Sequence, residues 1–523
     1  MESSNDQPKQ EKTFSKEAGT MQLVVDRESQ TPIYLQLVNQ IKNSIIGGSL
    51  LPGTVLPPER KLAESLGVNR STIITVYREL KADGLADAHV GKGTVVKLSD
   101  DGMYGEDPRE LAPSYRQLFS QTAERAADPM LRQLLEMANR KDLISFAAGI
   151  SPFDTDPLDA LKGIEAELVS DGQYALKHTP TEGLPELREA VRCLMEDRGV
   201  SSRLEETLIL SGSQQGINLT ARALIDPGDI VLVEEPSFFC ALQIFHAVGA
   251  RIVGVPMDEE GLRTDVLETL LKRCRPKLLY TMPTFQNPTG ICMSANRKKR
   301  LLELAKKHEF LILEDDPYGD IAFDGERPGT LKEMDTCGYV IYLSTFSKVL
   351  FPGIRIGWMT APEPVTRQIA LLKQLEDLHA NSLSQWLVLR FLKSGAYKGH
   401  VQWLCQEYGQ KRDRMHQALK AIKNTSLHWI KPKGGYYIWL KLPEGIPHMT
   451  LLVRAGEKGV VYVPGTAFYT GDRGGSFIRL NFTYPKREEI TEGIRRLDAA
   501  IHELKAKDRP SGGKYAHSLA PII

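Results

Sequence analysis

The sequence predicts two structural parts, a small helical module near the N-terminus and a large α/β domain after it. From Asp142 onward, apolar runs of strand length alternate with amphipathic helical patterns, which is typical of parallel βαβ units. From Thr31 to about Leu98, short helical patterns are followed by a compact strand pair. The stretch from Ser99 to Lys141 is polar and charged, which predicts a linker between the two parts.

The predicted organisation covers the whole chain. Residues 1–25 are expected to be a disordered tail, 26–98 the helical module, 99–141 the linker, 142–505 the large domain and 506–523 a second tail. A chain of 523 residues exceeds one ordinary domain of roughly 100–200 residues. We see no internal repeats that would indicate a solenoid.

Composition narrows the class of protein. A hydrophobic fraction of 41% and a charged fraction of 25% are those of a soluble globular protein. The net charge is zero, so any attraction to nucleic acid or membrane must be local. The six cysteines form no CxxC pair, which argues against a zinc site and fits a reducing cytoplasm. The polar N-terminus does not resemble a signal peptide, and no run reaches the ~20 apolar residues of a membrane span.

The N-terminal module reads as three helices followed by a wing. Residues Ile33, Leu37, Ile41 and Ile45 form one apolar helix face. The stretch "ERKLAESLGVNRSTIITVYRELKADGL" then predicts two short helices around a Gly67–Val68 turn. Asn69 is the expected N-cap of the second, and Ile73, Tyr77 and Leu80 its buried face.

The wing is predicted as two short strands in "LADAHVGKGTVVKL", around a glycine-rich tip. From Thr31 to Leu98 there are eight basic and five acidic residues, a mild basic bias. A helix N-terminus carrying Arg and hydroxyl side chains can meet both base edges and phosphates. The pattern therefore favours DNA binding, while a helical packing domain remains the alternative.

The whole module resembles the winged helix of GntR-type bacterial repressors. The matching pieces are "LPPERKLA", "LGVNRSTI", "YRELKADG" and "GKGTVV". The resemblance implies operator DNA as a partner. The resemblance also implies that five residues contact the DNA: Arg60, Arg70, Ser71, Thr72 and Gly93.

The large domain carries the elements of a pyridoxal phosphate site. Such a site needs a lysine for the Schiff base, phosphate ligands, a carboxylate for the ring nitrogen and an aromatic side chain against the ring. In parallel α/β sheets, ligands bind beyond the C-terminal ends of the strands. The strands in "LLYTMPTFQN", "FLILED" and "YVIYLSTFSK" are expected to end in Asn287, Asp315 and Lys348.

The order of these elements resembles the fold-type I pyridoxal phosphate enzymes, the aspartate aminotransferase superfamily, from about Ile144 to Leu504. The resemblance implies that Lys348 is the Schiff-base lysine and that Asp315 contacts the ring nitrogen. It implies that Tyr318 and Asn287 bond the ring O3′, and that Phe238 stacks on the ring. The implied phosphate ligands are Ser213, Gln214, Thr345, Ser347 and Arg355.

Two further residues concern the effector and the assembly. The segment "FIRLNFTY" matches the family's substrate-carboxylate segment, which implies that Arg479 pairs with an amino acid carboxylate. The segment "QYALKHTPTEGLPELREAV" matches the one whose tyrosine reaches the neighbouring subunit's phosphate, which implies a homodimer and gives that role to Tyr174.

A winged helix fused to an aminotransferase-like domain resembles the MocR subfamily of GntR-type regulators. The resemblance implies a cytoplasmic, pyridoxal-phosphate-dependent regulator that senses the cofactor or an amino compound. Two alternatives stay open. One is an active aminotransferase that carries a DNA-binding module, because the residues for transamination are present. The other is a DNA-binding protein whose large domain is a dimerisation scaffold.

Overall fold

The computed structural model describes residues 12–14, 21–27, 32–46, 50, 53–89, 93–97, 119–126, 142–149, 177–325, 327–422, 426–446, 448–471 and 473–507. The chain divides into two compact units, Met1–Ser120 and Gln121–Ile523. Most of the predicted linker, the wing tip and Tyr174 lie outside the described residues. The predicted domain bounds stay a prediction.

The described part of the first unit consists of short helices and two strand pairs. These elements are β1 Lys12–Phe14, β2 Met21–Leu23, α1 Ile33–Ile46, α2 Glu59–Leu66, α3 Arg70–Ala82, β3 Ala86–His89 and β4 Gly93–Val96. On the apolar faces predicted for α1 and α3, Leu37, Ile41, Ile73 and Leu80 are each at 0% exposure, whereas Ile33 and Ile45 are half-buried against the same core. The helices therefore pack on a common apolar core.

The turn between α2 and α3 ends the first helix sharply. Gly67 adopts the left-handed conformation with φ of 62°, which suits the residue that follows a helix. Asn69 occupies the N-cap position of α3 as predicted, but its side chain makes no capping hydrogen bond. The wing strands β3 and β4 pair antiparallel, with His89 opposite Gly93.

Two short strands lie inside the stretch predicted to be a disordered tail. Strand β1 pairs antiparallel with β2, and Leu23 is buried in the core of the first unit. The amide side chain of Gln40 exchanges two hydrogen bonds with the backbone of Val24, at 2.8 and 2.7 Å. An apolar residue and a polar bridge to α1 therefore order this part of the chain.

The second unit is built on a mixed sheet of eight strands. In chain order they are β6 Thr207–Leu210, β7 Ile230–Glu235, β8 Arg251–Asp258, β9 Gly261–Leu262, β10 Leu278–Thr281, β11 Leu311–Asp315, β12 Val340–Thr345 and β13 Gly357–Thr360. Their spatial order is β6-β13-β12-β11-β10-β7-β8-β9. Strands β10, β11 and β12 are almost wholly buried because helices cover both faces, as expected for a parallel sheet.

The expectation of parallel βαβ units is correct for β7, β8, β10, β11 and β12, but β13 runs antiparallel to both of its neighbours. A parallel pair needs a crossover connection of a dozen or more residues, usually a helix. Residues 346–356 join β12 to β13 with a shorter connection, so the chain turns back on itself.

Helices surround this sheet and continue into a smaller C-terminal part. They are α4 Gln121–Arg125, α5 Pro185–Glu196, α6 Ser213–Leu224, α7 Phe239–Ala247, α8 Thr264–Leu271, α9 Ala295–His308, α10 Leu331–Met334, α11 Glu363–Asp377, α12 Ser382–Lys393, α13 Ala396–Ala421, α14 His448–Glu457 and α15 Arg487–Lys507. In the part of the chain that the structure describes, none of the helices combines the length and apolar character needed to cross a bilayer.

The smaller C-terminal part contains two further sheets. Strands β14 Tyr437–Lys441, β16 Val463–Pro464 and β17 Phe477–Asn481 form an antiparallel sheet in the order β14-β17-β16. Strand β5 Ile144–Ser145 pairs with β15 Val460–Val461. In the ladder between β14 and β17, Trp439 lies directly opposite Arg479.

Candidate functional site

A cavity of about 430 Å³ lies where strands β7, β10, β11 and β12 end. Its lining includes residues predicted from the sequence: Ser213, Gln214, Phe238, Asn287, Asp315, Tyr318, Thr345, Ser347, Lys348, Arg355 and Arg479. Asp315 is the last residue of β11, as predicted. The predicted strand ends at Asn287 and Lys348 are wrong, because β10 stops at Thr281 and β12 at Thr345, and loops carry both side chains into the cavity.

Lys348 is a buried lysine whose pKa is lowered. Its Nζ donates a hydrogen bond of 2.5 Å to the carbonyl oxygen of Gly149. Burial, followed by the positive charges of Arg479 and Arg355, lowers the pKa of Lys348 to about 8. A substantial fraction of the amine is therefore neutral near physiological pH, which is the form that acts as a nucleophile.

Asp315 is a buried carboxyl group whose two oxygens differ. Oδ2 accepts a hydrogen bond of 2.8 Å from the hydroxyl of Tyr280. Oδ1 is buried and has no hydrogen-bond partner among the described residues. Burial, with a smaller contribution from Asp316, raises the pKa of Asp315 to about 7. A buried acceptor without a partner fits a ligand that brings a protonated ring nitrogen.

An anion-binding cradle forms at the start of helix α6. Gly212 precedes that helix with φ of 92°, and a Cβ on it would lie 2.7 Å from Nη2 of Arg355. The same guanidinium donates to the carbonyl oxygen of Ser211 at 3.0 Å and to Oγ of Ser347 at 3.3 Å. The N-terminal amides of a helix, a guanidinium and hydroxyl groups are the donors that a phosphate group uses.

Arg479 is a buried cation that also lines the cavity, and it lies on strand β17 of the small sheet. Its Nη1 donates to Oδ1 of Asn287 at 3.0 Å and its Nη2 to the carbonyl oxygen of Ala147 at 2.9 Å. Its Nε has no hydrogen-bond partner, and no carboxylate lies within ion-pair distance, among the described residues. A buried cation without an anion is costly, so this position fits a carboxylate supplied by a ligand.

Tyr437 is a cavity residue that the sequence analysis missed. Its hydroxyl lies 3.1 Å from that of Tyr318, and its ring centroid lies 4.2 Å from the guanidinium carbon of Arg479. The alternation of strand β14 could have revealed it, because Tyr437 and Trp439 share a face of the sheet with Arg479. The sequence analysis also missed Tyr280, whose hydroxyl bonds to Asp315. A tyrosine in a buried strand next to the strand of Asp315 could have indicated this hydrogen bond.

The contacts predicted between side chains and the cofactor ring stay predictions. Phe238 lies at the start of α7 and packs against Phe239, with ring centroids 5.2 Å apart. Tyr318 and Asn287 bond to Tyr437 and Arg479 respectively, so their roles toward a ring oxygen stay predictions. The role of Tyr174 also stays a prediction, since this residue lies outside the described part of the chain.

The residues predicted to contact DNA lie around the helix-turn-helix and the wing. Arg60 and Arg70 belong to the first turns of α2 and α3, and both side chains are exposed. Arg70 forms an ion pair of 3.2 Å with Glu59, which brings the N-termini of the two helices together. Ser71 is exposed and Thr72 half-buried beside Arg70, while Gly93 begins the second wing strand with φ of 88°.

The donor set of the cavity fits pyridoxal 5′-phosphate. The partnerless oxygen of Asp315 matches a ring N–H, and the cradle at Gly212 matches the phosphate. Lys348, with its lowered pKa, matches the aldehyde. The ring nitrogen, the phosphate and the aldehyde of the cofactor therefore each have a counterpart among the described residues.

Comparisons with known proteins agree with this geometry. The family model of aminotransferase class I and II matches residues 141–497, and that of bacterial regulatory proteins of the GntR family matches residues 33–96. Among solved structures, a kynurenine aminotransferase of Pyrococcus horikoshii is 38% identical with a TM-score of 0.72, and covers 75% of this chain and 98% of its own. The α-aminoadipate aminotransferase LysN of Thermus thermophilus is 35% identical with a TM-score of 0.71, and covers 75% of this chain and 100% of its own.

Relatives that span both parts of the chain are regulators by name. The HTH-type transcriptional regulator YisV of Bacillus subtilis is 32% identical over 90% of this chain and 96% of its own length. The MocR regulatory protein of Rhizobium meliloti, whose name assigns it to rhizopine catabolism, is 30% identical over 92% of this chain and 97% of its own length. The aminotransferase family implies pyridoxal 5′-phosphate as the cofactor. With a GntR-type DNA-binding domain joined to a fold-type I aminotransferase-like domain, this chain belongs to the MocR-like subfamily of GntR-type regulators.

Proposed function

We propose that the protein is a cytoplasmic transcriptional regulator that binds operator DNA and senses pyridoxal phosphate together with an amino acid or amine. The observation that carries the sensing role is the buried guanidinium of Arg479, which has no carboxylate partner among the described residues. A ligand with an amine and a carboxylate would bring its amine to the cofactor carbonyl beside Lys348 and its carboxylate to Arg479. Amino acids have this pair of groups.

Different residues of the cavity would bind the cofactor and the effector. Pyridoxal phosphate, when bound, supplies a carbonyl carbon that accepts an amine and a ring that withdraws electrons. Lys348 offers a partly neutral amine, and Asp315 holds a proton at the ring nitrogen. Arg355 and the first turn of α6 bind the phosphate. Arg479 orients the effector through its carboxylate.

Regulation follows from linkage between the cavity and the DNA-binding unit. A ligand changes DNA affinity if it binds one arrangement of the protein better than another. The coupling is reciprocal, so operator DNA changes the affinity for the ligand by the same factor. Couplings of this kind are typically about 5- to 150-fold in affinity.

We further propose a homodimer whose interface includes helix α11. Exposed leucines recur along this helix and just beyond it, at Leu371 (52% exposed), Leu375 (81%) and Leu378 (56%). Leu371 and Leu375, four residues apart, lie on one face of the helix, and Leu378 follows directly at its C-terminal end. Exposed apolar patches of this kind mark protein contacts. The role of Tyr174 toward the neighbouring subunit's phosphate belongs to the same proposal. A Leu375→Glu variant is expected to be smaller in size-exclusion chromatography with light scattering.

The experiment that tests the regulator is binding of the purified protein to its own upstream DNA, with and without pyridoxal phosphate, at fixed salt. We expect specific binding whose affinity changes with the cofactor. The Lys348→Ala variant should bind DNA but lose the response that depends on attachment of the cofactor, together with the visible absorbance of the attached form. Absence of specific binding in both states would overturn the proposal.

An active aminotransferase is the second candidate, because Lys348, Asp315 and Arg479 are all present in one cavity. A relative of Thermococcus litoralis, 39% identical over 75% of this chain and 96% of its own length, is named aromatic-amino-acid aminotransferase 1. Multiple turnovers with an amino acid and a keto acid, in a protein without specific DNA binding, would favour this function over the regulator.

A further inference from the structure

A second cavity, of about 470 Å³, lies in the same unit and shares no lining residue with the first. Aromatic side chains form much of its wall. Trp439 and Phe477 stand parallel, with ring centroids 5.2 Å apart and an interplanar angle of 6°. Trp429 adds a third ring. Half-buried rings around a concave space are typical of small-molecule sites rather than of a solvated surface.

A histidine in this wall has a fixed proton position. The indole Nε1 of Trp429 donates a hydrogen bond of 3.0 Å to Nδ1 of His416, so that nitrogen carries no proton. Burial, followed by the charges of Lys420 and Lys431, lowers the pKa of His416. The ring is therefore neutral at pH 7, with its proton on Nε2, and it can donate one hydrogen bond to a ligand.

The rim of the second cavity is positively charged. Lys420 and Lys441 are exposed lining residues, and neither is in an ion pair within the described part of the chain. The neighbouring Lys431 differs, because it pairs with Asp413 at 2.8 Å and does not line the cavity. The rim also carries one carboxylate, that of Glu259. Two ammonium groups against one carboxylate favour an anionic ligand.

We propose that this cavity is a second effector site, which binds a planar aromatic carboxylate. The ring would pack against Trp429, Trp439 and Phe477, and the carboxylate would pair with Lys420 or Lys441. The site adjoins the first one through the backbone, since Trp439 is the cross-strand partner of Arg479. Thr289 and Ile291, which line the second cavity, follow Asn287 of the first by two and four residues.

The test is direct binding of indole-3-acetate to the full-length protein loaded with pyridoxal phosphate, measured by isothermal titration calorimetry. We expect saturable binding with a dissociation constant below about 1 mM, which corresponds to about 4 kcal/mol. The double variant Lys420→Gln/Lys441→Gln should bind at least about tenfold more weakly. Lys431→Gln is the matched control, an exposed lysine close in sequence, and should stay within about twofold.

Two controls separate this site from the first. Arg479→Gln should leave binding of indole-3-acetate unchanged, and the uncharged indole-3-ethanol should bind at least about tenfold more weakly than the acid. The proposal is overturned if Arg479→Gln abolishes binding, if the double variant binds normally, or if the wild-type protein shows no saturation at about 10 mM. None of these outcomes depends on DNA binding, so failure of the regulator proposal would leave this test intact.

Discussion

The hydroxyl of Tyr280 holds one oxygen of Asp315 at 2.8 Å and leaves the other oxygen buried without a partner among the described residues. The two side chains come from adjacent parallel strands, β10 and β11. Tyr280 therefore fixes the orientation of the carboxyl group of Asp315. The Oδ1 atom of this cavity-lining residue stays available to a ligand. The pKa of about 7 means that this carboxyl group becomes anionic as the pH rises through neutrality.

Replacement of the carboxylate tests its role toward the cofactor. We expect Asp315→Asn to weaken the binding of pyridoxal phosphate by about 1.5–3 kcal/mol, because a charge-assisted hydrogen bond is lost. The difference from wild type should be larger at pH 8 than at pH 6, since wild-type Asp315 is mostly protonated at pH 6. Fluorescence titration at both pH values measures this. Equal affinities at pH 8 would show that the carboxylate does not face the ring.

The lowered pKa of Lys348 predicts how cofactor attachment depends on pH. Attachment needs the neutral amine, so its rate in cofactor-free protein should rise with pH, reach half its maximum near pH 8 and level off above it. An ordinary lysine would reach that point near pH 10.5. Stopped-flow absorbance gives the profile. Arg479→Gln removes a positive neighbour and should move the midpoint to higher pH, and an unmoved midpoint would contradict this electrostatic explanation.

Gly212 and Gly228 form a matched pair for testing the phosphate cradle. Both have φ near 90°, but a Cβ at Gly212 would lie 2.7 Å from Nη2 of Arg355, whereas a Cβ at Gly228 meets nothing within 4 Å. Both alanine variants should lose about 1–3 kcal/mol of unfolding free energy from backbone strain. Gly212→Ala should in addition lose cofactor affinity by at least about tenfold. Thermal unfolding and cofactor titration separate the two effects, and equal cofactor affinities would argue against the cradle.

Arg70 tests the DNA-binding surface. We expect Arg70→Ala to weaken operator binding by about 1–3 kcal/mol if the guanidinium contacts a base edge. Its ion pair with Glu59 is exposed, so breaking that pair on DNA binding costs little. Arg414→Ala, an exposed arginine in the other unit, is the control and should bind the operator normally. The measurement is electrophoretic mobility shift at fixed salt, and an unchanged affinity for Arg70→Ala would remove this residue from the interface.

Much of the fold and of the cavity could be predicted from local patterns. The buried faces of α1 and α3 follow from helical spacing, and the strand β11 with its terminal Asp315 follows from a bounded apolar run. Such signals are short-range, so they identify elements well. The side chains that the resemblance brought together do line one cavity, apart from Tyr174.

The missed features depend on contacts between distant segments. Tyr437 approaches Tyr318 and Arg479 because β14 pairs with β17, and nothing near Tyr437 in sequence encodes that pairing. The reversal of β13 likewise depends on its place between β12 and β6. The loops that carry Asn287 and Lys348 contain apolar residues that continue the pattern of the preceding strands, so the pattern alone does not show where each strand ends.

The short connection from β12 to β13 carries both Lys348 and Arg355, seven positions apart in the sequence. A cofactor held by both residues, as proposed above, would therefore stabilise the connection at which the strand direction of the sheet reverses. A ligand that binds the folded chain more tightly than the unfolded one lengthens the life of the protein in a cell. When the cofactor is scarce, the cell would then contain fewer copies of this regulator, and those copies would lack the cofactor. The abundance of the protein would therefore follow the cofactor concentration, more slowly than the binding equilibrium does.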